Sequence, residues 1–280
     1  MKEQQGTVRG ADGRSIFYRS LRPDRPAAAV LVVHGYAEHS GRYAWVLGQL
    51  AEAGYFAVAP DYCGHGRSVP PGGTLADLRS VEAALADLRA VHEAARSELA
   101  GLPWFVLGHS LGGALGLLYA LRHQAELQGL VASAPLSSLP AYASPLLVRL
   151  IRVLSLVVPL LPVQKFDFLT VSRRPEVIEA IRQDPLYYKD KARVRTGYQL
   201  MRAIQEVGSR LGELRLPLLA LQGGEDTQVN RGDARRVYEG AGSGDKSLKE
   251  FPGLYHEIFN EPERQQVMDL VLDWLRRHLG

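Results

Sequence analysis

The chain has 280 residues, 46% of them hydrophobic and 22% charged, an ordinary globular composition with ample length to bury a core. Its formal net charge is only +3, and no long basic run or interleaving of basic with aromatic residues appears, which argues against a nucleic-acid partner. Cys63 is the only cysteine, so an intramolecular disulfide and a cysteine-rich metal site are both excluded.

The first ten residues, MKEQQGTVRG, are polar and lack the apolar segment of a secretory signal. Short apolar runs then predict strands at 28–34, 55–60, 104–108, 127–132, 216–222 and 247–251. Several are unbroken Val/Leu/Ala runs, the pattern of parallel strands covered on both faces. Helices are predicted between them at 43–53, 81–100, 112–124, 231–238 and 262–278. The last is the clearest: Val267, Leu270, Val271, Trp274 and Leu275 recur at three- and four-residue spacing, with Asn260 available as a cap before Pro262. Strands alternating with helices predict a parallel, doubly wound sheet.

One region breaks the alternation. From about 134 to 214 no strand is predicted, only helices at 145–160, 175–183 and 193–208. Because the strand pattern resumes directly afterwards, this reads as a helical insertion within a single domain spanning 1–280. Such insertions in α/β proteins sit over the strand ends where ligands bind. The most apolar stretch, 144–163, contains Arg149, Arg152, Pro159 and Pro162. It therefore lacks the roughly twenty uninterrupted apolar residues of a bilayer span. A cytoplasmic location follows as the expectation.

Gly108-His109-Ser110-Leu111-Gly112 fits G-x-S-x-G between a predicted strand and a predicted helix. The flanking glycines leave room for a tight turn that lifts the Ser110 hydroxyl above the strand ends. A serine hydroxyl attacks only when a base takes its proton, and in this context the partners follow in the order Ser, acid, His. Gly223-Gly224-Glu225-Asp226 lies just after the strand at 216–222, and Asp226 is preferred there over its neighbour Glu225. His256 is the only histidine between Asp226 and the terminal helix. It would deprotonate Ser110 and later protonate the leaving group, while Asp226 fixes its tautomer. Oxyanion donors are expected from the backbone N–H groups of Leu111 and of Tyr36, which follows the strand at 28–34. His34 and His65 read as loop-bracing residues, and Cys63 as inert and partly buried. No cofactor or metal is called for, since protein groups supply nucleophile, base and oxyanion hole.

HGYAEHSGRY from His34, DYCGHGRS from Asp61, GHSLGG from Gly108, GGEDTQV from Gly223 and LYHEIFNEPE from Leu254 together resemble the monoacylglycerol lipase and lysophospholipase group of α/β-hydrolases, a serine aminopeptidase S33-like hydrolase domain. The resemblance implies an α/β-hydrolase fold with a mostly parallel sheet, helices on both faces and a lipid-contacting helical cap. VSRRPEV and DPLYY look similar to cap segments. Tyr36 stands where the group often has a small residue, and Leu111 where it often has Met; Tyr36 would narrow the pocket.

The resemblance implies hydrolysis of a monoacylglycerol or similar lipid ester through acyl-Ser110. A lysophospholipase, a general carboxylesterase, an acyltransferase and a non-catalytic binding protein on the same fold are the alternatives. The helix at 145–160 is apolar around most of its circumference, broken by Arg149 and Arg152. It serves either as core or as a surface for transient contact with lipid.

Overall fold

The apolar runs become parallel strands because their alternate residues serve two separate cores. The computed structural model describes residues 1–10, 12–140 and 143–279. In chain order the strands are β1 (Lys2–Arg9), β2 (Ser15–Arg22), β3 (Ala28–Val33), β4 (Tyr55–Pro60), β5 (Trp104–His109) and β6 (Gly129–Ser133), followed by β7 (Pro162–Lys165), β8 (Lys191–Arg193), β9 (Leu218–Gly223) and β10 (Lys246–Phe251). The α-helices are α1 (Ala44–Glu52), α2 (Val81–Glu98), α3 (Leu111–His123), α4 (Pro145–Val157), α5 (Pro175–Gln183), α6 (Val194–Arg210), α7 (Asp233–Gly240) and α8 (Arg264–Arg277).

Eight strands form the main sheet in the order β1-β2-β4-β3-β5-β6-β9-β10. From β4 to β10 all pairings are parallel, while β1–β2 and β2–β4 are antiparallel. β3 shows the logic. Ala29, Leu31 and Val33 point into one core with α2, α3 and α6, whereas Ala28, Val30 and Val32 point into the other with α1 and α8. A strand buried on both faces has no use for polar alternation.

The sequence-predicted strands and helices all appear, with ends shifted by a few residues. β1 and β2 are additions, since the polar KEQQGTVR carries no strand signature and pairs at an edge. The region between Ser133 and Leu218 also departs from expectation. It holds α4, α5 and α6, but also the two-stranded β7–β8 sheet. Four- and three-residue strands are too short to register as a pattern. α8 begins at Arg264 with Glu263 at its N-cap, not at Pro262. Asn260 does not cap it; its side chain donates to Glu257 at 2.7 Å from a 3₁₀ turn. Cys63 is wholly buried, and burial with nearby Asp87 pushes its thiol up to about 12.

Backbones meet most closely at the β5–α3 turn. A Cβ on Gly112 would lie 2.1 Å from the Val33 carbonyl oxygen and 2.3 Å from that of His34, and one on Gly108 would lie 2.2 Å from the Gly112 oxygen. These contacts are backbone to backbone and have no flexible side chain to yield. Gly112→Ala should therefore destabilise the fold by more than about 2 kcal/mol, read as a lowered melting temperature; an unchanged melting temperature would show that the turn can open without cost.

Candidate active site

Ser110 sits between the last residue of β5 and the first of α3 with φ 56° and ψ −120°, a left-handed φ that is uncommon for a residue with a side chain. Neighbouring backbone holds it there. Its N–H donates to Ser133 O at 2.9 Å, and its carbonyl accepts from Gly113 N at 2.9 Å, Leu136 N at 3.1 Å and Ala114 N at 3.2 Å. Conformational strain of about 1–3 kcal/mol persists when the surroundings over-determine it in this way.

Asp226 and His256 come from the ends of β9 and β10. Asp226 is buried, and its Oδ1 accepts from Gln228 N at 2.8 Å and Val229 N at 3.2 Å. Its Oδ2 lies 2.8 Å from His256 Nδ1. A carboxylate only accepts, so Nδ1 carries the proton and Nε2 is left with its lone pair. Glu225, by contrast, is exposed and pairs with Arg231 at 2.7 Å. Of the two acids left open by the sequence, only Asp226 reaches the imidazole.

The loop after β3 supplies the second backbone group. The Gly35 carbonyl accepts from His34 Nδ1 at 2.8 Å and from Tyr62 Oη at 3.0 Å. A trans peptide directs its N–H opposite to its carbonyl, so anchoring Gly35 O turns the Tyr36 N–H away from that anchor. Neither the Tyr36 nor the Leu111 N–H has a partner among the described residues. His34 stacks on Tyr62 with centroids 4.1 Å apart, and burial lowers its pKa to about 3. It stays neutral and braces the loop. His65, bonded to the Cys63 carbonyl at 3.0 Å, is the same kind of residue.

Ser110, His256, Leu111, Gly35 and Tyr36 all line one cavity of about 320 Å³. Val163, Phe166, Leu200, Met201 and Ile204 of the inserted segment provide an apolar wall, and Ser138, Asn230 and Asp233 a polar rim. Tyr36 contributes its ring, tilted against Phe166 at 5.3 Å between centroids.

Several residues of the site carried no assignment in the sequence. His109 packs its ring 4.6 Å from that of His256 and holds Ser133 Oγ at 3.1 Å; burial, then His256 and Arg42, keep it neutral. Glu38 and Arg42 stand inside HGYAEHSGRY, and Glu257 directly follows His256. Nothing in their sequence context marks them, because burial is invisible in a single sequence.

The insert is fastened to all three loops. Tyr188 N donates to Ala37 O at 2.8 Å, and His39 meets Asp184 at 2.8 Å. Gln228 Nε2 donates to Asp167 O at 2.8 Å and to Thr170 Oγ1 at 2.6 Å. Glu257 N donates to Val171 O at 2.8 Å, and Arg173 pairs with Glu261. VSRRPEV and DPLYY thus stand out in the sequence as the points where the insert meets the site.

Parallel sheet, strained turn and strand-end residues together define an α/β-hydrolase. The chain belongs to the family described as serine aminopeptidase S33, which matches residues 24–263. It is 37% identical to the monoacylglycerol lipase of Mycolicibacterium smegmatis over 96% of both chains. It is 32% identical to phospholipase YtpA of Bacillus subtilis over 88% of this chain and 94% of that protein. The crystal structure of Paleococcus ferrophilus monoacylglycerol lipase superimposes with a TM-score of 0.81 at 28% identity, covering 94% of this chain and 99% of that one.

Burial opposes a charge on His256, but Asp226 by charge and hydrogen bond, then Glu257 and Glu38 by charge, hold its pKa above the ordinary 6.5. With His256 as the base that the sequence predicts, which works only when neutral, kcat/KM should fall as pH drops through a value above 6.5. Asp226→Asn should lower kcat by about 10³- to 10⁴-fold through loss of the Nδ1–H tautomer, while Glu225→Gln stays near wild type. The reverse ranking in steady-state assays would move the acid to Glu225.

Proposed function

We propose that the chain hydrolyses carboxylic esters with a long acyl chain, monoacylglycerol first among them, through an acyl-Ser110 intermediate. One observation carries the reading: Ser110, the Asp226–His256 pair and two unpartnered N–H groups converge on a cavity with an apolar wall and a polar rim. Nε2 of His256 takes the Ser110 proton as Oγ attacks the ester carbonyl. The developing oxyanion is met by the N–H groups of Tyr36 and Leu111. His256 then protonates the leaving alcohol, and water attacks the acyl-enzyme by the same route. The apolar wall suits the acyl chain and the rim suits a hydroxylated alcohol. Two relatives are named monoacylglycerol lipases, which supports the glycerol ester. The Bacillus relative is named a phospholipase, which keeps a lysophospholipid as the second reading.

The inserted segment acts in this reading as a cap on a single hydrolase domain. Ten of the eleven large hydrophobic side chains that stand exposed among the described residues fall between Leu146 and Leu169. Leu146, Leu156 and Val157 on α4 are 76%, 77% and 72% exposed. That face is therefore not core, and a contiguous apolar face beside Arg149 and Arg152 suits peripheral contact with a lipid surface. No helix among the described residues is long and apolar enough to cross a membrane.

Ser110→Ala should fold normally yet lose ester turnover by orders of magnitude and lose labelling by a fluorophosphonate; near wild-type turnover in that variant would sink the reading. Leu146→Gln, Leu150→Gln and Leu156→Gln combined should raise KM about tenfold on dispersed long-chain monoacylglycerol. They should leave a short water-soluble ester and the melting temperature unchanged. Equal loss on both substrates would remove the lipid-docking role from α4.

A further inference from the structure

Three charged side chains lie buried beside His256 and outside the steps just described. Arg42, in the 3₁₀ turn Ser40–Tyr43 that precedes α1, donates through Nε to Glu38 Oε2 at 3.1 Å and through its terminal nitrogen to Glu257. Their side chains are only 8%, 5% and 7% exposed in the order Arg42, Glu38, Glu257. Both carboxylates have further donors. Glu38 Oε1 accepts from Gly35 N at 2.6 Å and from Tyr43 Oη at 2.8 Å, and Glu257 Oε2 accepts from Asn260 at 2.7 Å. The Tyr187 ring covers the guanidinium at 5.1 Å. Burial works against the Arg42 charge, and Glu257 with Glu38 more than offsets it.

The arrangement joins two loops of different origin. Glu38 grips Gly35, whose peptide with Tyr36 carries an oxyanion N–H. Glu257 is covalently next to His256. The chain Gly35–Glu38–Arg42–Glu257–His256 therefore runs from the oxyanion donor to the base through buried, charge-assisted hydrogen bonds and one covalent step, and such hydrogen bonds are shorter and stronger than neutral ones.

We propose that Glu257 is a positioning residue, locking the histidine loop to the oxyanion loop through Arg42 and Glu38 so that base and oxyanion donor stay in register. The proposal rests on the roles assigned above to Ser110, His256 and Tyr36. Two carboxylates against one guanidinium also leave a net negative charge near the imidazole. The charged and titratable groups acting on His256 are Asp226 from the loop after β9, Glu257 from its own loop, Glu38 from the loop after β3 and His109 from β5. The first three favour the imidazolium that forms during attack, while His109 is neutral.

The test is Glu257→Gln, which keeps size and removes the charge, assayed on a short ester with active sites counted by fluorophosphonate titration. Per titrated site, kcat should fall about tenfold with KM little changed, because orientation and transition-state charge are lost but binding is not. Removal of a nearby anion favours neutral His256, so the acid limb of kcat/KM should move down by about half a pH unit. Glu257→Asp keeps the charge while shortening the reach; its acid limb should stay near wild type and its kcat should fall. A merely structural Glu257 would lower the melting temperature and the titratable fraction in both variants while leaving kcat per site and the acid limb as in wild type. That result overturns the proposal. Turnover surviving in Ser110→Ala would instead overturn the underlying catalytic reading, so the two failures are distinguishable.

Discussion

Ser110 is held at a backbone geometry that a residue with a side chain seldom adopts, and the central packing is arranged to hold it there. The turn closes only because Gly108 and Gly112 let backbones approach without a Cβ, Gly108 against the Gly112 carbonyl and Gly112 against the carbonyls of Val33 and His34. Those carbonyls end β3, the strand that pairs with β5 and leads into the Gly35–Tyr36 loop. The contact that makes the turn possible therefore also sets how far the Tyr36 N–H lies from the Leu111 N–H. A sheet buried on both faces supplies the rigidity, since two cores hold each strand in place. Strain at the serine is thus spread over β3, β5, β6 and α3.

The inserted segment meets this frame through apolar packing of α6 on α2 and α3 and through polar bonds from its loops, while α4 faces outward with apolar surface. Asp184 and Tyr188 reach the loop after β3, Asp167 and Thr170 reach the loop after β9, and Val171 with Arg173 reaches the loop after β10. Directional bonds to three separate loops fix the position of the segment, which nondirectional packing alone would leave free to slide. α4 is the exception, because its outer face has no partner among the described residues. A burial of apolar surface worth about 25 cal/mol per Å² is thereby left unrealised within the protein. This separates the anchored part of the insert, which shapes the cavity, from the part available to an interface.

Much of this was legible from residue pattern. The turn at Ser110 follows from G-x-S-x-G between a strand and a helix, and chain order singles out His256. The sequence prefers Asp226 over Glu225, and in the fold Asp226 is the one turned inward to His256 while Glu225 pairs with Arg231 at the surface. β1 and β2, by contrast, were illegible. An antiparallel edge is held by its ladder of backbone bonds, and KEQQGTVR shows no apolar alternation. For α4 the sequence leaves core and surface open, because nearly uniform apolarity is equally the signature of a buried helix and exposure is a property of what packs against it.

The buried ion cluster shows why charge patterning is harder to read than hydrophobic patterning. Glu38, Arg42 and Glu257 would pass in a sequence for ordinary loop and helix-surface charges. Taking any of them out of water is costly, and replacing such a cluster with apolar groups is often neutral for stability. Its presence at this spot is therefore poorly explained by stability alone. What an apolar cluster cannot supply is direction, since only Arg42 holds both carboxylates by hydrogen bonds with defined geometry. In the proposed mechanism, a base that must accept a proton and return it within one catalytic cycle depends on that direction more than on the depth of its burial.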